Sequence, residues 1–235
     1  RTSDEEKIAE MREHLDLTFD QDGSEITVNL EWENAKGWGW GGGKTPRLRF
    51  AVDVPHAFSA DVRTAGGPIT IVRLRGDVRA KTSGGAIEVD EVEGSLQIAT
   101  SGGHIRCEGI RGDIDARTSG GHISVTDSAG QMEVRTSGGH IEIDRVVGMI
   151  DARTSGGHID AAILGPLTGD CALRTSGGSI TAYIDETVSA ELYARTSAGS
   201  VETNVPVMLE GKLRKNQIAG KIGDGGHALK MQTSA

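Results

Sequence analysis

Four histidines recur every eighteen residues, and their imidazole groups could hold a divalent metal ion between neighbours. They are His104, His122, His140 and His158. Imidazole ligates zinc, copper and nickel, and it gains charge near pH 6. Because no Cys, Asp or Glu completes a fixed coordination shell in the repeat, the alternative is an exposed polar position with stacked rings. The spacing predicts a histidine file, with a divalent ion as the one cofactor to consider.

A second recurring set is basic and stands directly before the key Thr of the repeats. Its members are Arg63, Lys81, Arg117, Arg135, Arg153, Arg174 and Arg195. An acidic glycan could bind this file at Arg117, Arg135 and Arg153. Carboxylates two residues earlier, such as Glu133, favour the alternative of a solvated surface that neutralises itself through ion pairs between repeats.

The tryptophans are the best candidates for a site outside the repeat. Trp38 and Trp40 lie in a glycine-rich stretch, residues 37–43. Exposed indoles there could stack on a sugar ring or enter a membrane interface. In the alternative, they cover the open end of the fold and complete its core.

Composition restricts the core and the partners. The chain has 34 Gly, only 3% aromatic residues and a formal net charge of −9. A thin aliphatic core with many tight turns is indicated. The negative charge argues against nucleic acid, which needs a basic face, and no apolar run is long enough for a transmembrane segment.

An internal repeat decides the fold class. The key Thr of the phrase Thr-Ser-Gly-Gly-x-Ile recurs at steps of eighteen and then twenty-one residues, at Thr64, Thr82, Thr100, Thr118, Thr136, Thr154, Thr175 and Thr196, and again at Thr233. Apolar residues keep one phase in every unit, so like residues can stack in parallel register. We predict an all-β, parallel β-solenoid of about eight coils of 18–21 residues, right-handed by the crossover rule. An antiparallel meander would not need this exact period.

The repeated residues have structural explanations. Glycine pairs permit positive φ at tight corners, and an inward Thr can hydrogen-bond to the neighbouring coil or to the turn backbone. Cys107 and Cys171 fall at inward positions several coils apart and are predicted to be buried thiols rather than a disulfide.

Residues 1–62 do not repeat and are predicted to cap the first coil, continuous with a solenoid over residues 63–235 in a single domain. A short helix is predicted over residues 4–14, and strands over 26–30 and 47–52, joined by the tryptophan loop. A cap would protect an open sheet edge, so a monomer is expected. Past residue 205 the period loosens, and the last coil is expected to carry a long loop.

No catalytic residues are predicted, because an exact repeat supplies the same groups everywhere whereas a catalytic centre needs distinct groups at one place. The pattern also lacks the Gly-Gly-x-Gly-x-Asp signature of a calcium β-roll. The expected function is a non-catalytic structural or binding module. The alternative is a β-helical polysaccharide-active enzyme, a lyase or hydrolase.

Three features resemble a bacterial family of unknown function that is labelled as an adhesin domain: residues 53–62 (DVPHAFSADV), the Thr-Ser-Gly-Gly-x-Ile array, and residues 220–226 (GKIGDGG). The resemblance implies a β-helical protein that is exported, periplasmic or on the cell surface, although the chain has no signal-peptide pattern of its own. It implies a glycan or envelope protein as partner and supplies no catalytic residues. The corner position, a small polar residue in that family, is His in four repeats here.

Overall fold

A computed structural model describes residues 15–23, 25–32, 49–209 and 214–234. The chain divides into two compact units, Arg1–Val52 and Asp53–Ala235. All the described elements are strands, and none of these four stretches contains a helix of the length and apolarity that a membrane crossing requires.

The described part of the first unit is a β-hairpin. Strand β1 (Leu15–Asp22) pairs with β2 (Glu25–Trp32) in antiparallel register, with Phe19 opposite Val28. The predicted strand over 26–30 is confirmed within β2. The strand predicted over 47–52 is wrong for residues 49–52, which are irregular. The strand that pairs with β2 is β1, which was not predicted. The predicted helix lies outside the described residues, and the capping role of residues 1–62 stays a prediction.

The second unit is a parallel β-solenoid. In chain order its described strands are β3 (Ala60–Thr64), β4 (Ile69–Arg75), β5 (Val78–Thr82), β6 (Ile87–Glu93), β7 (Leu96–Ala99), β8 (Ile105–Glu108), β9 (Ile114–Arg117), β10 (Ile123–Thr126), β11 (Met132–Arg135), β12 (Ile141–Val146), β13 (Ile150–Arg153), β14 (Ile159–Ile163), β15 (Cys171–Thr175), β16 (Ile180–Ile184), β17 (Ala190–Thr196), β18 (Met208–Leu209), β19 (Gln217–Ile222) and β20 (Ala228–Thr233). They form two sheets, the long sheet, ordered β3-β5-β7-β9-β11-β13-β15-β20-β17-β19-β18, and the short sheet, ordered β4-β6-β8-β10-β12-β14-β16.

Like residues lie directly over one another, as the repeat predicts. Ile123 is in register with Ile105 on one side and Ile141 on the other, and the strands run parallel. All three side chains are almost completely buried. The antiparallel meander is therefore excluded for the coils, and the aliphatic core is a set of stacked ladders. The short sheet has seven strands in the described chain, so the solenoid has about seven coils rather than about eight.

The key threonines form a buried ladder of hydrogen bonds to the turn backbone. Thr136 Oγ1 donates to the Gly121 carbonyl oxygen of the previous coil at 2.8 Å and accepts from Gly139 N at 3.3 Å. The same arrangement recurs at Thr82, Thr100, Thr118, Thr154 and Thr175. Since an unpaired buried hydroxyl is costly, each Thr ties two coils together.

The reason for the glycine pairs differs from the prediction. The pairs from Gly66 to Gly178 do not have a positive φ. The second glycine of a pair is required by close approach, because a Cβ at Gly121 would lie 1.9 Å from the Gly103 carbonyl oxygen. The first glycine has room, since a Cβ at Gly120 would lie 3.7 Å from its nearest neighbour.

The first five short-sheet strands each have one left-handed residue, called a bulge here, either near the end of the strand or directly after it. Four non-glycine residues and one glycine, eighteen residues apart, have φ between 50° and 66°: Arg73, Glu91, Gly109, Asp127 and Arg145. The bulge leaves two consecutive side chains exposed and returns the next one to the core. Isolated parallel bridges then form a narrow third side of the coil.

The stacking order at the C-terminal end departs from chain order. Strand β20 lies between β15 and β17, with Thr233 in register with Thr175 on one side and Thr196 on the other. Strand β19 then pairs antiparallel with β17. The last part of the chain therefore inserts into the stack, whereas the repeat by itself suggested sequential stacking with a long final loop.

Candidate functional site

The four histidines occupy the corner that precedes the short-sheet strands, one residue before β8, β10, β12 and β14. The rings of His122 and His140 are stacked with centroids 3.7 Å apart, and those of His140 and His158 with centroids 4.8 Å apart. The backbone N–H of His140 also donates to Nδ1 of His122 at 3.2 Å. The file follows the coil spacing because the corner is repeated in register.

The charges around the file are uneven. His104 Nε2 lies 3.8 Å from a Glu88 carboxylate oxygen, and His158 Nε2 lies 3.5 Å from Asp160. Burial lowers the pKa of His140, and the neighbouring His122 and His158 lower it further. In the described ranges, no three His, Cys, Asp or Glu side chains are grouped as a metal would require. Metal binding between two rings stays a prediction.

The basic file lies on the outer face of the long sheet and is paired with carboxylates. Arg117 lies 2.8 Å from both Asp115 and Glu133, and Arg135 also contacts Glu133. Arg153 contacts Asp151 at 2.6 Å, and Arg174 approaches the same carboxylate from the next coil at 3.8 Å. The predicted ion pairs between coils are confirmed. A polyanion at Arg117, Arg135 and Arg153 would therefore compete with protein carboxylates.

A further ion pair connects two bulges. The Arg145 guanidinium donates two hydrogen bonds of 2.7 Å to the carboxylate of Asp127, one coil away. This lowers the pKa of Asp127 and raises that of Arg145. Both side chains are exposed, so the ion pair adds little stability. Its geometry follows from the stacked left-handed residues, which were not predicted from the sequence.

The cysteines are buried and free, as predicted. Burial raises the pKa of the Cys107 thiol to about 12 and also raises that of Cys171. Reactive cysteines are exposed and have a lowered pKa, so these two thiols are core residues. Trp38 and Trp40 lie outside the described residues, so their predicted role stays a prediction.

A cavity at the C-terminal end of the solenoid was not predicted from the sequence. It has a volume of about 890 Å³ and lies between β16, the inner face of the long sheet and residues 198–205. Its apolar lining includes Ile180, Ala182 and Ile184. The available signal was the step of twenty-one residues from Thr154 onward, which marks the coils where the strict period ends.

Together, the stacked parallel coils and their repeated exterior ladders define the class of protein: a β-solenoid domain whose polar groups recur from coil to coil. Residues 9–235 match the Toastrack DUF4097 family, a domain family of unknown function. Because the match spans nearly the whole chain, the protein belongs to this family. Neither the curated proteins nor the solved structures gave a match.

Proposed function

We propose that this Toastrack domain is a non-catalytic structural and binding module of the cell envelope. It presents the outer face of its long sheet to a partner, which is an acidic glycan or an envelope protein. A nucleic-acid partner does not fit the net charge of −9. The expected state in solution is a monomer.

The observation that carries this proposal is the location of the polar side chains and the groups that they contact. The ladder threonines are buried and hydrogen-bond to the backbone, whereas the Arg and carboxylate side chains of the long sheet are partly or fully exposed on its outer face and recur from coil to coil. The carboxyl groups of Asp127 and Asp185 have a lowered pKa, because Arg145 and Thr187 respectively hydrogen-bond to them. A general acid needs the opposite shift, towards neutral pH.

Two smaller surfaces belong to the same proposal. The stacked rings of His122, His140 and His158 could hold a divalent ion along the coil corner. Trp38 and Trp40 could stack on a sugar ring. A location outside the cytoplasm, in the periplasm or on the cell surface, rests on the resemblance of the repeat to exported adhesin-like domains.

A glycan array followed by calorimetry tests the proposal. The purified protein is applied to acidic and neutral polysaccharides, and the same mixtures are assayed for new reducing ends and for unsaturated lyase products. Binding to an acidic glycan without product release is the expected result. Depolymerisation would contradict the proposal and support the polysaccharide-active alternative.

Two triple variants with equal charge change locate the surface. Arg117→Gln, Arg135→Gln and Arg153→Gln remove the basic file from the long sheet. Arg75→Gln, Arg106→Gln and Arg111→Gln remove three cations elsewhere, of which Arg75 and Arg106 are also ion-paired. Binding that only the first set weakens supports the long-sheet face. Equal weakening by both sets would show attraction by charge alone.

A further inference from the structure

The charge pattern on the outer face of the long sheet changes at strand β17. In β3, β9, β11 and β13, an outward Arg forms an ion pair with a carboxylate two residues before it on the same strand. These pairs are Asp61 with Arg63, Asp115 with Arg117, Glu133 with Arg135 and Asp151 with Arg153. In β17 the equivalent basic residue is Arg195, and the residue two positions before it is Tyr193. An aromatic ring therefore replaces the neutralising carboxylate.

The strands on either side of β17 do not supply a carboxylate to Arg195 either. The residues in register with Arg195 are Gln232 on β20 and Gln217 on β19, which are both uncharged. Glu191 lies on the same strand but four residues before Arg195, or roughly 13 Å along it. Among the residues that the structure describes, Arg195 has no ion-pair partner.

The side chains around Arg195 form an exposed surface of mixed chemistry. Leu192 and Ala194 are buried, so Tyr193 and Arg195, which alternate with them, face outward; Arg195 is exposed and Tyr193 half-buried. The exposed Lys230 of β20 lies in register with Tyr193. On the opposite side of Tyr193, β19 contributes an alanine, whose side chain is too short to cover the ring.

The cation of Lys230 is also largely available. Its ammonium group lies 3.9 Å from the carboxylate of Asp170, and both side chains are exposed to solvent. An ion pair of this length and exposure is weak. The surface around Tyr193 therefore has two cations, Arg195 and Lys230, whose charges the protein itself neutralises little. By contrast, Arg117 already contacts two protein carboxylates.

These groups have the chemistry that an acidic sugar requires. The Tyr193 ring offers an apolar face against which the C–H groups of a pyranose ring can pack. The planar guanidinium of Arg195 can donate two parallel hydrogen bonds to one carboxylate. The amides of Gln217 and Gln232 can both donate to and accept from hydroxyl groups. Neighbouring strands lie about 4.8 Å apart and alternate residues of a strand about 7 Å apart, so one sugar unit can reach all four side chains.

We infer that Tyr193, Arg195, Lys230, Gln217 and Gln232 form a binding site for one uronic acid unit, a pyranose ring that carries a carboxylate. Arg195 pairs with the carboxylate, Tyr193 packs against the ring, the two amides bind its hydroxyl groups, and Lys230 adds positive charge. This inference rests on the proposed binding of acidic glycans to the long sheet, and it specifies where on that sheet the sugar is held.

The two tyrosines of the chain allow a direct test, because each serves as the control for the other. Tyr183 is 67% exposed on the outer face of the short sheet. In protein with ¹³C-labelled tyrosine rings, Tyr193→Phe and Tyr183→Phe assign the two sets of NMR signals. The probes are tetramers of galacturonic, mannuronic and guluronic acid, and the control for each is the same tetramer with its carboxyl groups reduced to alcohols.

With at least one of the acidic tetramers, the signals of Tyr193 should shift saturably and those of Tyr183 should stay in place. The reduced tetramer should bind about tenfold more weakly or worse, because it cannot pair with Arg195. The inference would be overturned if none of the three tetramers shifted Tyr193, if both rings shifted equally, or if the reduced tetramer bound equally well.

Variants of the whole protein, measured by calorimetry, separate the contributions. Tyr193→Ala and Arg195→Gln should each weaken binding of the tetramer about tenfold, whereas Tyr193→Phe keeps the ring and should bind within about twofold of the unmodified protein. The matched controls, Tyr183→Ala and Arg111→Gln, should not change binding. Equal losses for Arg111→Gln and Arg195→Gln would show attraction by charge alone, and equal losses for the two Tyr193 variants would remove the ring from the site; either result contradicts the inference.

Failure of this inference can be told apart from failure of the proposed function. If an acidic polysaccharide binds and leaves the Tyr193 signals unchanged, the uronic acid site is wrong and glycan binding stands. If a tetramer shifts Tyr193 while the array shows no polysaccharide bound, the site stands and the proposed function is wrong. Circular dichroism checks the fold of each variant, and the ring signals test the site on the unmodified protein if a variant does not fold.

Discussion

Two neighbouring glycines of one corner, Gly120 and Gly121, should differ in how much a change to alanine alters the stability of the protein. Gly121→Ala places a Cβ 1.9 Å from the Gly103 carbonyl oxygen, whereas ordinary contact starts at 3.4 Å. The two coils must separate locally by about 1.5 Å, or roughly a third of the strand spacing of about 4.8 Å. Gly120→Ala places its Cβ 3.7 Å from the backbone below, which is ordinary contact.

The cost at Gly121 can be worked out from the bonds that join these two levels. Near this corner, Thr118 Oγ1 donates to the Gly103 carbonyl oxygen at 2.9 Å, Gly120 N to Ser101 at 3.0 Å and Ile105 N to His122 at 2.9 Å. Weakening three bonds of about 1 kcal/mol each gives a loss of about 3 kcal/mol, at the upper end of the usual cost of overpacking. At Gly120, a change within about 1 kcal/mol is expected, in the stabilising direction if the unfolded chain loses entropy.

Thermal and urea unfolding followed by circular dichroism measure this difference. For a unit of this size, about 3 kcal/mol corresponds to a fall in Tm of roughly 6–12 °C, against less than about 4 °C for Gly120→Ala. The chain contains its own control, since Ala198 occupies the position of the first glycine after Thr196. Equal losses for the two variants, or an unchanged Gly121→Ala, would refute the explanation by close approach.

Three further outcomes are expected. Thr136→Val leaves the Gly121 carbonyl oxygen and the Gly139 N–H without their partner and should lower the free energy of unfolding, measured in urea, by about 1–3 kcal/mol. Thr136→Ser keeps the hydroxyl and should lower this free energy by about 1 kcal/mol or less. Equal losses for the two variants would contradict the role given to the hydroxyl ladder. Because burial, His122 and His158 lower the pKa of His140, against weaker opposing effects of Glu142 and Asp160, the unfolded state binds more protons than the folded state. Stability should therefore fall as the pH decreases through and below the ordinary value of 6.5. His140→Gln should reduce the fall in Tm between about pH 7.5 and about pH 5, and an unchanged fall would contradict this effect. Since burial raises the pKa of Cys107 to about 12, the thiolate fraction of Cys107 is roughly a thousandfold below that of a thiol of pKa 9. Mass spectrometry should find Cys107 unmodified by iodoacetamide in the native protein and modified in urea. Rapid alkylation of Cys107 in the native protein would show that the core is open at this position.

The regular coils were predictable because the same types of residue recur at the same positions of each coil and pack in the same way. The eighteen-residue period puts Ile105, Ile123 and Ile141 in one phase, and parallel stacking is the arrangement that uses that period. The prediction for glycine was right in position and wrong in cause. A corner seen alone suggests a need for positive φ, whereas the contact that excludes a Cβ at Gly121 exists only between coils.

Ion pairing was predictable in kind but not in detail. Arg and carboxylate files on one face indicate pairs between coils, but side-chain geometry decides that Arg117 contacts both Asp115 and Glu133. The left-handed residues Asp127 and Arg145 were not predicted, since neither residue type requires that conformation. Their bulge is needed to return Ser128 and Val146 to the core, which is a requirement of the closed coil.

What the sequence by itself determined is the repeating unit: its length, its inward face and its parallel register. Only the tertiary structure decided the order of the last units. Strands β15, β17 and β20 have the same alternation and the same terminal Thr, so each can stack on any other, and local pattern does not specify which neighbours which. The choice of β20 as the neighbour of β15 depends on the whole C-terminal arrangement.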